Sequence, residues 1–163
     1  MKRDVYCIFK FQRDDGVEAN MAMKDSLRIL EQRRAKALAM GSPRRLKEFR
    51  DAGVLNVRER IDYLFDDGSF TEQGLLALPA REEDHDRAPG DGSVDGIGAI
   101  KGRLAVINAA DFSAMGASSA EIAGLKMTHS RRTAIENGIP LIMLCECSGG
   151  RIPDIMGARG IHK

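Results

Sequence analysis

Gly138-Ile139-Pro140-Leu141-Ile142-Met143-Leu144-Cys145-Glu146-Cys147-Ser148-Gly149-Gly150-Arg151-Ile152-Pro153-Asp154 is the stretch whose reading decides the fold. Gly-Ile-Pro is a helix stop: glycine closes the preceding helix and proline cannot continue it. Leu141–Cys145 is then a continuous apolar run of strand length, the pattern of a strand buried on both faces. The chain leaves that strand through Ser148-Gly149-Gly150. In open α/β sheets the carboxyl end of a strand is where ligands bind, and peptide N–H groups around paired glycines can converge on one oxygen.

Working upstream, the periodicity predicts a long helix from a cap at Ser118 or Ser119 to about Asn137. Before it, Gly96–Ile100 and Leu104–Asn108 flank Lys101-Gly102 and read as a β-hairpin. Strand, strand, helix, strand and glycine loop make an α/β unit in which the helix crosses back over a sheet. A second loop, Asp111 through Glu121, joins the hairpin to the helix. Its small residues Gly116, Ala117 and Ser118 let backbone approach a ligand, and the helix start aims N–H groups at negative charge.

Other candidates are weaker. Cys145 and Cys147 have no second cysteine pair to complete a metal site and read as buried thiols. Ser148 lacks the surround of a nucleophile elbow. His129 reads as a structural or surface residue. Arg151 can pair with a ligand carboxylate or phosphate, or form an ion pair with Asp154 or Glu146.

The first part of the chain is of different character. A short alternation at Val5, Cys7, Phe9 and Phe11 permits a strand. Val17–Met40 reads as a helix with Gly41 as its C′ residue, and Ser42-Pro43 starts a second helix running to about Ala52. Asn56 and Glu59 form a capping-box pair for a third, whose apolar stripe is Val57, Ile61, Leu64 and Phe65. The basic residues from Arg28 to Arg50 read as a solvated helical face, with phosphate binding as the alternative. Residues 79–95, rich in Pro, Gly and charge, read as an exposed or disordered loop, with His85 solvated inside it.

Composition narrows the function classes. With 25 Lys plus Arg against 24 Asp plus Glu in 163 residues, a net charge of +1 gives no drive toward nucleic acid or acidic membranes. No apolar run approaches the ~20 residues of a membrane helix. Three cysteines and no signal-peptide pattern suggest a reduced, cytoplasmic setting.

These motifs resemble, in order, those of biotin-dependent acyl-CoA carboxyltransferases, the β-subunits of propionyl-CoA and related acyl-CoA carboxylases. Val57–Phe70 (VRERIDYLFDDGSF) resembles the family's R-E-R-I…L-x-D-x-G-S-F segment. Gly96-Ile97-Gly98 with Gly102-Arg103 looks like its hairpin, and Ala110–Ser118 resembles its D-F-T-x-M-G-G-S loop. Gly138–Ile142 matches G-I-P-L-I, and Leu144–Asp154 aligns with L-N-D-S-G-G-A-R-I-Q-E. The resemblance covers about residues 33 to 160.

It implies a crotonase-like half-domain of repeated ββα units, truncated over residues 71–163, after a helical lead-in over residues 1–70. Because the chain stops just past its glycine loop, with no closing element expected behind it, it reads as the N-terminal portion of a larger two-half enzyme. The implied reaction transfers a carboxyl group from carboxybiotin, on a separate carrier domain, to the α-carbon of an acyl-CoA. No metal is implied. The implied partners are acyl-CoA, a biotin carrier or biotin carboxylase subunit, a second carboxyltransferase half and further copies in a homo-oligomer. Gly149 and Gly150 are the implied catalytic oxyanion donors; Met115, Gly116, Ala117, Ser118 and Arg151 are the implied substrate-binding residues.

The chain departs from the family pattern at Ser148 and Ala117, each in place of a glycine, at Gly150, in place of an alanine, and at Pro153, which lacks an N–H; the first two bear most on the site. They motivate an alternative, a non-catalytic crotonase-like module that binds CoA or a carboxylase subunit. A free-standing hydratase or hydrolase is a third reading, with only Glu121 and Glu146 as single general-base candidates.

Overall fold

The hairpin forms as its turn residues require. β2 (Ser93–Ile100) and β3 (Arg103–Ala110) pair antiparallel from Ser93↔Ala110 to Ile100↔Arg103. Lys101 and Gly102 between them both take positive φ, 51° and 75°, which matches the twist of the strands. The carboxylate of Asp66 accepts the N–H of Gly102 at 2.8 Å and of Lys101 at 2.9 Å, and these bonds hold its pKa below the usual range.

A computed structural model of the chain describes residues 16–155. The strand expected around Val5–Phe11 lies outside the described residues. The chain divides into two compact units, Met1–Arg33 and Arg34–Lys163. The division expected at residue 70 falls inside the second.

β1 (Thr71–Gln73) adds antiparallel to β2, and β4 (Leu141–Leu144) adds parallel to β3, giving the order β1-β2-β3-β4. α4 (Glu121–Asn137) makes the crossover from β3 to β4 and ends at Gly138 with φ 62°. The expectation that β4 is buried on both faces does not hold. Among the described residues its ladder partner is β3 alone, its side chains are half-buried, and Met143 is 38% exposed. An apolar run reports hydrophobicity, which an edge strand and a central strand share.

The lead-in helices are α1 (Gly16–Leu38), α2 (Pro43–Asp51) and α3 (Val57–Leu64). α3 has the expected capping box: the Asn56 side chain accepts from the N–H of Arg58 and Glu59, and Glu59 accepts from the N–H of Asn56. Its stripe buries Val57, Ile61 and Phe65 against Val94, Ala105, Ile107 and Ala109 of the hairpin. At the end of α1 the left-handed residue is Met40, with φ 62°, rather than Gly41. Gly41 is required for another reason: a Cβ there would overlap the backbone of Ser113.

Residues 79–95 correct a larger expectation. They form two short 3₁₀ turns, Glu82–Asp84 and Pro89–Gly92, followed by the start of β2. Ala88, Asp91 and Asp95 are at most 2% exposed. Composition made this stretch look solvated, but its carboxylates are matched by specific partners brought from elsewhere. Asp91 is one. Its Oδ2 accepts the N–H of Ala123 at 2.9 Å, in the first turn of α4. Thus α4 is capped from a distance, while its own N-cap position is Ala120 and neither Ser118 nor Ser119 caps it. Past the glycine loop, α5 (Ile152–Ile155) supplies one helical turn that the sequence reading did not expect. Pro153 in its first turn gives up an N–H that has no intrahelical partner there.

Candidate functional site

The two loops singled out in the sequence lie side by side. The first leaves β3 at Asp111, whose N–H donates to Gly92 O and whose Oδ1 accepts the N–H and hydroxyl of Ser113 at 3.0 and 2.5 Å. Burial pushes the Asp111 pKa up, against the pull of those bonds. The turn it makes also anchors the entry to α2, because Gly41 N–H donates to Ser113 Oγ and Ser42 N–H to Ser113 O. Next come Met115, Gly116 and Ala117, all at positive φ (50°, 62° and 46°), a left-handed turn that two non-glycine residues adopt at a cost.

The second loop leaves β4 and is stitched to the first. Ser148 N–H donates to Gly116 O at 2.9 Å, Ser119 N–H to Gly149 O at 2.8 Å, and Arg151 N–H to Ser119 O at 2.8 Å. Gly149, at φ 132°, is the residue that needs to be glycine; Ser148 is outside the positive-φ set and carries no such strain. Arg151 lies beneath. Its guanidinium is 3% exposed and donates to Asp91 at 2.5 Å, to Asp154 at 3.4 Å and to Ser118 Oγ at 3.2 Å. Burial raises the Asp154 pKa, and Arg151 opposes it. Glu146 pairs with Arg60 instead.

Cys145 and Cys147 are exposed free thiols, contrary to expectation. They lie at and beyond the end of β4, where no layer covers them. Cys147 Sγ accepts the N–H of Gly149 at 3.3 Å and lies 3.5 Å from Ser119 Oγ, and its pKa is lowered chiefly by the Ser119 hydroxyl.

Beside the loops is a cleft of about 610 Å³. Its walls are the start of α2 (Ser42, Pro43, Arg44, Arg45), Asp86 and Arg87, and Phe112, Ser113, Met115, Gly116 and Ser148. Three guanidinium groups face one carboxylate, and that carboxylate, Asp86, is paired with Lys36. Arg45 lies over the Phe112 ring at 5.6 Å. Arg44 and Arg45 share Glu48, and Arg87 meets Asp84, all on exposed arginine side chains. A smaller crevice of about 240 Å³ runs along the α4 start and β4, past Ala117, Ser118, Ser119 and Cys147.

Of the seven residues expected in the site, Met115 and Gly116 line the cleft. Ala117 and Ser118 face the smaller crevice. Gly149 and Gly150 are exposed and line neither, and Arg151 is buried under them among carboxylates. From the sequence, Arg44, Arg45 and Arg58 were open between CoA phosphates and helix–helix pairing. Arg58 is instead locked to Glu72 by two bonds of 2.7 and 3.2 Å. Arg87 and Asp91 were missed; the Pro-Gly-Asp-Gly run, three of whose residues take positive φ, was the available signal. His85 Nε2 lies 3.1 Å from Pro79 O, and among the described residues no group of three or more His, Cys, Asp or Glu side chains could hold a metal. None of the described helices is long and apolar enough to cross a membrane.

Comparison with known proteins gives a consistent result. The propionyl-CoA carboxylase beta chain of Cereibacter sphaeroides is 38% identical over 135 residues, covering 81% of this chain and 26% of that protein. The transcarboxylase 12S hexamer structure, with methylmalonyl-coenzyme A and methylmalonic acid bound, superposes with a TM-score of 0.75 at 29% identity over 82% of this chain and 27% of that one. The beta subunit of geranyl-CoA carboxylase from P. aeruginosa gives 0.64 at 25% identity, covering 92% and 28%. The chain therefore spans about a quarter of the length of these relatives. Its four-stranded α/β sheet is part of a crotonase-like carboxyltransferase domain. The model of the carboxyl transferase domain matches residues 48–161, and the chain belongs to that family.

Proposed function

We propose that this chain is the acyl-CoA-binding portion of a carboxyltransferase subunit that moves a carboxyl group from carboxybiotin to the α-carbon of an acyl-CoA. The observation that carries the reading is the cleft whose walls bring Arg44, Arg45 and Arg87 together with residues of the two stitched loops. CoA is an anionic phosphate ester with an apolar, thioester-bearing arm. Guanidinium groups suit its phosphates. The start of α2 adds to them, since it has neither a side-chain cap nor an acidic residue in its first turn.

In the reaction the α-carbon loses a proton and negative charge moves to the thioester oxygen. The carbon then takes the carboxyl group as the bond to the biotin nitrogen breaks, and the proton it lost ends on that nitrogen. This chain's share is to bind the CoA, hold the thioester against the loops and place hydrogen-bond donors where charge develops. In this reading the arginines of the cleft are taken up by the CoA phosphates. The carboxybiotin, its carrier or biotin carboxylase subunit and the second carboxyltransferase half are therefore assigned to surfaces outside this cleft, within a homo-oligomer acting in the cytoplasm.

Calorimetric titration of the chain with CoA and propionyl-CoA tests the reading. Binding is expected, weakened on the order of tenfold or more by Arg44→Glu combined with Arg87→Glu, and reduced by added salt. Absence of CoA binding by the unaltered chain would sink it. One observation favours a second reading, a module that binds acyl-CoA without catalysing: Gly149 N–H already donates to Cys147. Carboxyl transfer on mixing the chain with a separately supplied second half would rule that out.

A further inference from the structure

We infer that the Ser148 hydroxyl is a hydrogen-bond donor to the thioester carbonyl of a bound acyl-CoA, which makes Ser148 a substrate-orienting residue of the cleft. The inference rests on the proposed acyl-CoA reading of that cleft.

The argument starts from what the glycine loop has left to offer. Ser148 N–H is taken by Gly116 O, Gly149 N–H by Cys147 Sγ and Arg151 N–H by Ser119 O. Among these four consecutive residues only Gly150 N–H lacks an acceptor among the described residues, and Gly150 does not line the cleft. A ligand in the cleft therefore finds no spare peptide donor on this loop at the wall it touches. What it meets is the Ser148 side chain, an exposed cleft-lining group with no hydrogen-bond partner among the described residues.

Its position is tightly defined. A Cβ placed on Gly116 would lie 2.6 Å from Ser148 Oγ, 2.8 Å from Ser148 Cβ and 3.8 Å from the Phe112 ring. The hydroxyl thus lies against the Gly116 backbone, on a cleft wall to which Phe112 also contributes. The left-handed turn at Met115–Ala117 supplies that floor, which only a residue without a side chain at position 116 allows. A hydroxyl that has no protein acceptor keeps its proton for a ligand in the cleft, and the thioester carbonyl is an acceptor that the acyl arm offers there.

The test uses the purified chain and three probes: CoA, propionyl-CoA and a propionyl-CoA analogue in which the thioester carbonyl is replaced by CH₂. A single neutral hydrogen bond predicts a preference of about three- to tenfold for the thioester over the thioether. Ser148→Ala is expected to abolish that preference and leave the affinity for CoA unchanged. With a ¹³C-labelled carbonyl, isotope-edited infrared spectra should show the stretch shifted to lower frequency on the unaltered chain and returned toward the free value on Ser148→Ala. That signature would not follow from a packing role. No thioester preference in the unaltered chain, or a preference and shift that survive Ser148→Ala, overturns the inference while leaving CoA binding intact. Failure of all three probes to bind overturns the cleft reading and this inference with it.

Discussion

Arg151 and Asp91, sixty residues apart in sequence, share a hydrogen-bonded ion pair of 2.5 Å in which neither side chain is more than 3% exposed. The pair ties the end of the glycine loop to the turn that precedes β2. Through its other oxygen Asp91 also holds the N–H of Ala123, so one carboxylate fixes the loop and the start of α4 together. Removing Arg151 would leave Asp91 and Asp154 buried without their shared guanidinium, and removing Asp91 would leave Arg151 only the longer contact to Asp154. Asp91→Ala and Arg151→Ala should each lower unfolding stability by about 3–5 kcal/mol, as read from urea titration. The double variant should lose clearly less than the sum of the two. Additive losses would mean that the two residues act separately.

How far the sequence could be read follows from the reach of each signal. Asn56 with Glu59, Lys101-Gly102 and Gly138 act within four residues, so local chemistry identified the α3 cap, the hairpin turn and the end of α4. The resemblance assigned the two loops to one site, and the structure joins them through Gly116 and Ser148. Asp91 was not legible, because its partners Ala123 and Arg151 arrive only when the sheet and α4 assemble. Arg87 reaches the cleft through the same turn, which composition had described as solvated. Gly41 was assigned a helix-ending role because that is the common one. Its need for close approach to Ser113 depends on a residue 72 positions away.

Cys147 and Cys145 are both exposed, but their surroundings differ. Only Cys147 has a hydroxyl and a peptide N–H directed at its sulfur, from Ser119 and Gly149, and these favour the thiolate. Alkylation by iodoacetamide, followed by peptide mass spectrometry from pH 6 to 9, should label Cys147 before Cys145. Ser119→Ala removes the larger cause, so the pH midpoint of Cys147 labelling should move upward. Equal labelling of both thiols, with no change in the variant, would contradict the geometry.

Lys126 is buried on α4, where its ammonium donates to the carbonyls of Gly90 and Ser93 and lies 3.6 Å from Asp95. Asp95 also accepts from Ser93, Asn108 and Ser130, so the network stays connected on the acidic side. Burial is the largest influence on Lys126 and lowers its pKa below 10.5, with Asp95 opposing. Over the range between the folded value and 10.5, the unfolded chain binds the extra proton, so stability must rise with pH there. Urea titrations at pH 7 to 10 should show that rise in the unaltered chain relative to Lys126→Met, which has no proton to lose. The difference between the two reports Lys126 alone, since the remaining titrations are common to both. A difference that falls with rising pH would show that the ammonium is favoured on folding.

The left-handed turn at Met115–Ala117 gives a prediction of opposite sign for two neighbouring loops. Ala117 holds φ 46°, a region that costs an L-residue about 1–2 kcal/mol, and glycine would relieve this at an entropic cost of about 0.5–1 kcal/mol. Ala117→Gly should therefore stabilise the chain by up to ~1 kcal/mol. Gly149→Ala should destabilise it instead. At φ 132° the backbone itself disfavours a side chain, even though nothing lies within 4 Å of the added methyl. Urea titration of both variants checks the pair. Destabilisation by Ala117→Gly would mean that the methyl, which faces the smaller crevice, contributes more by packing than it loses in strain.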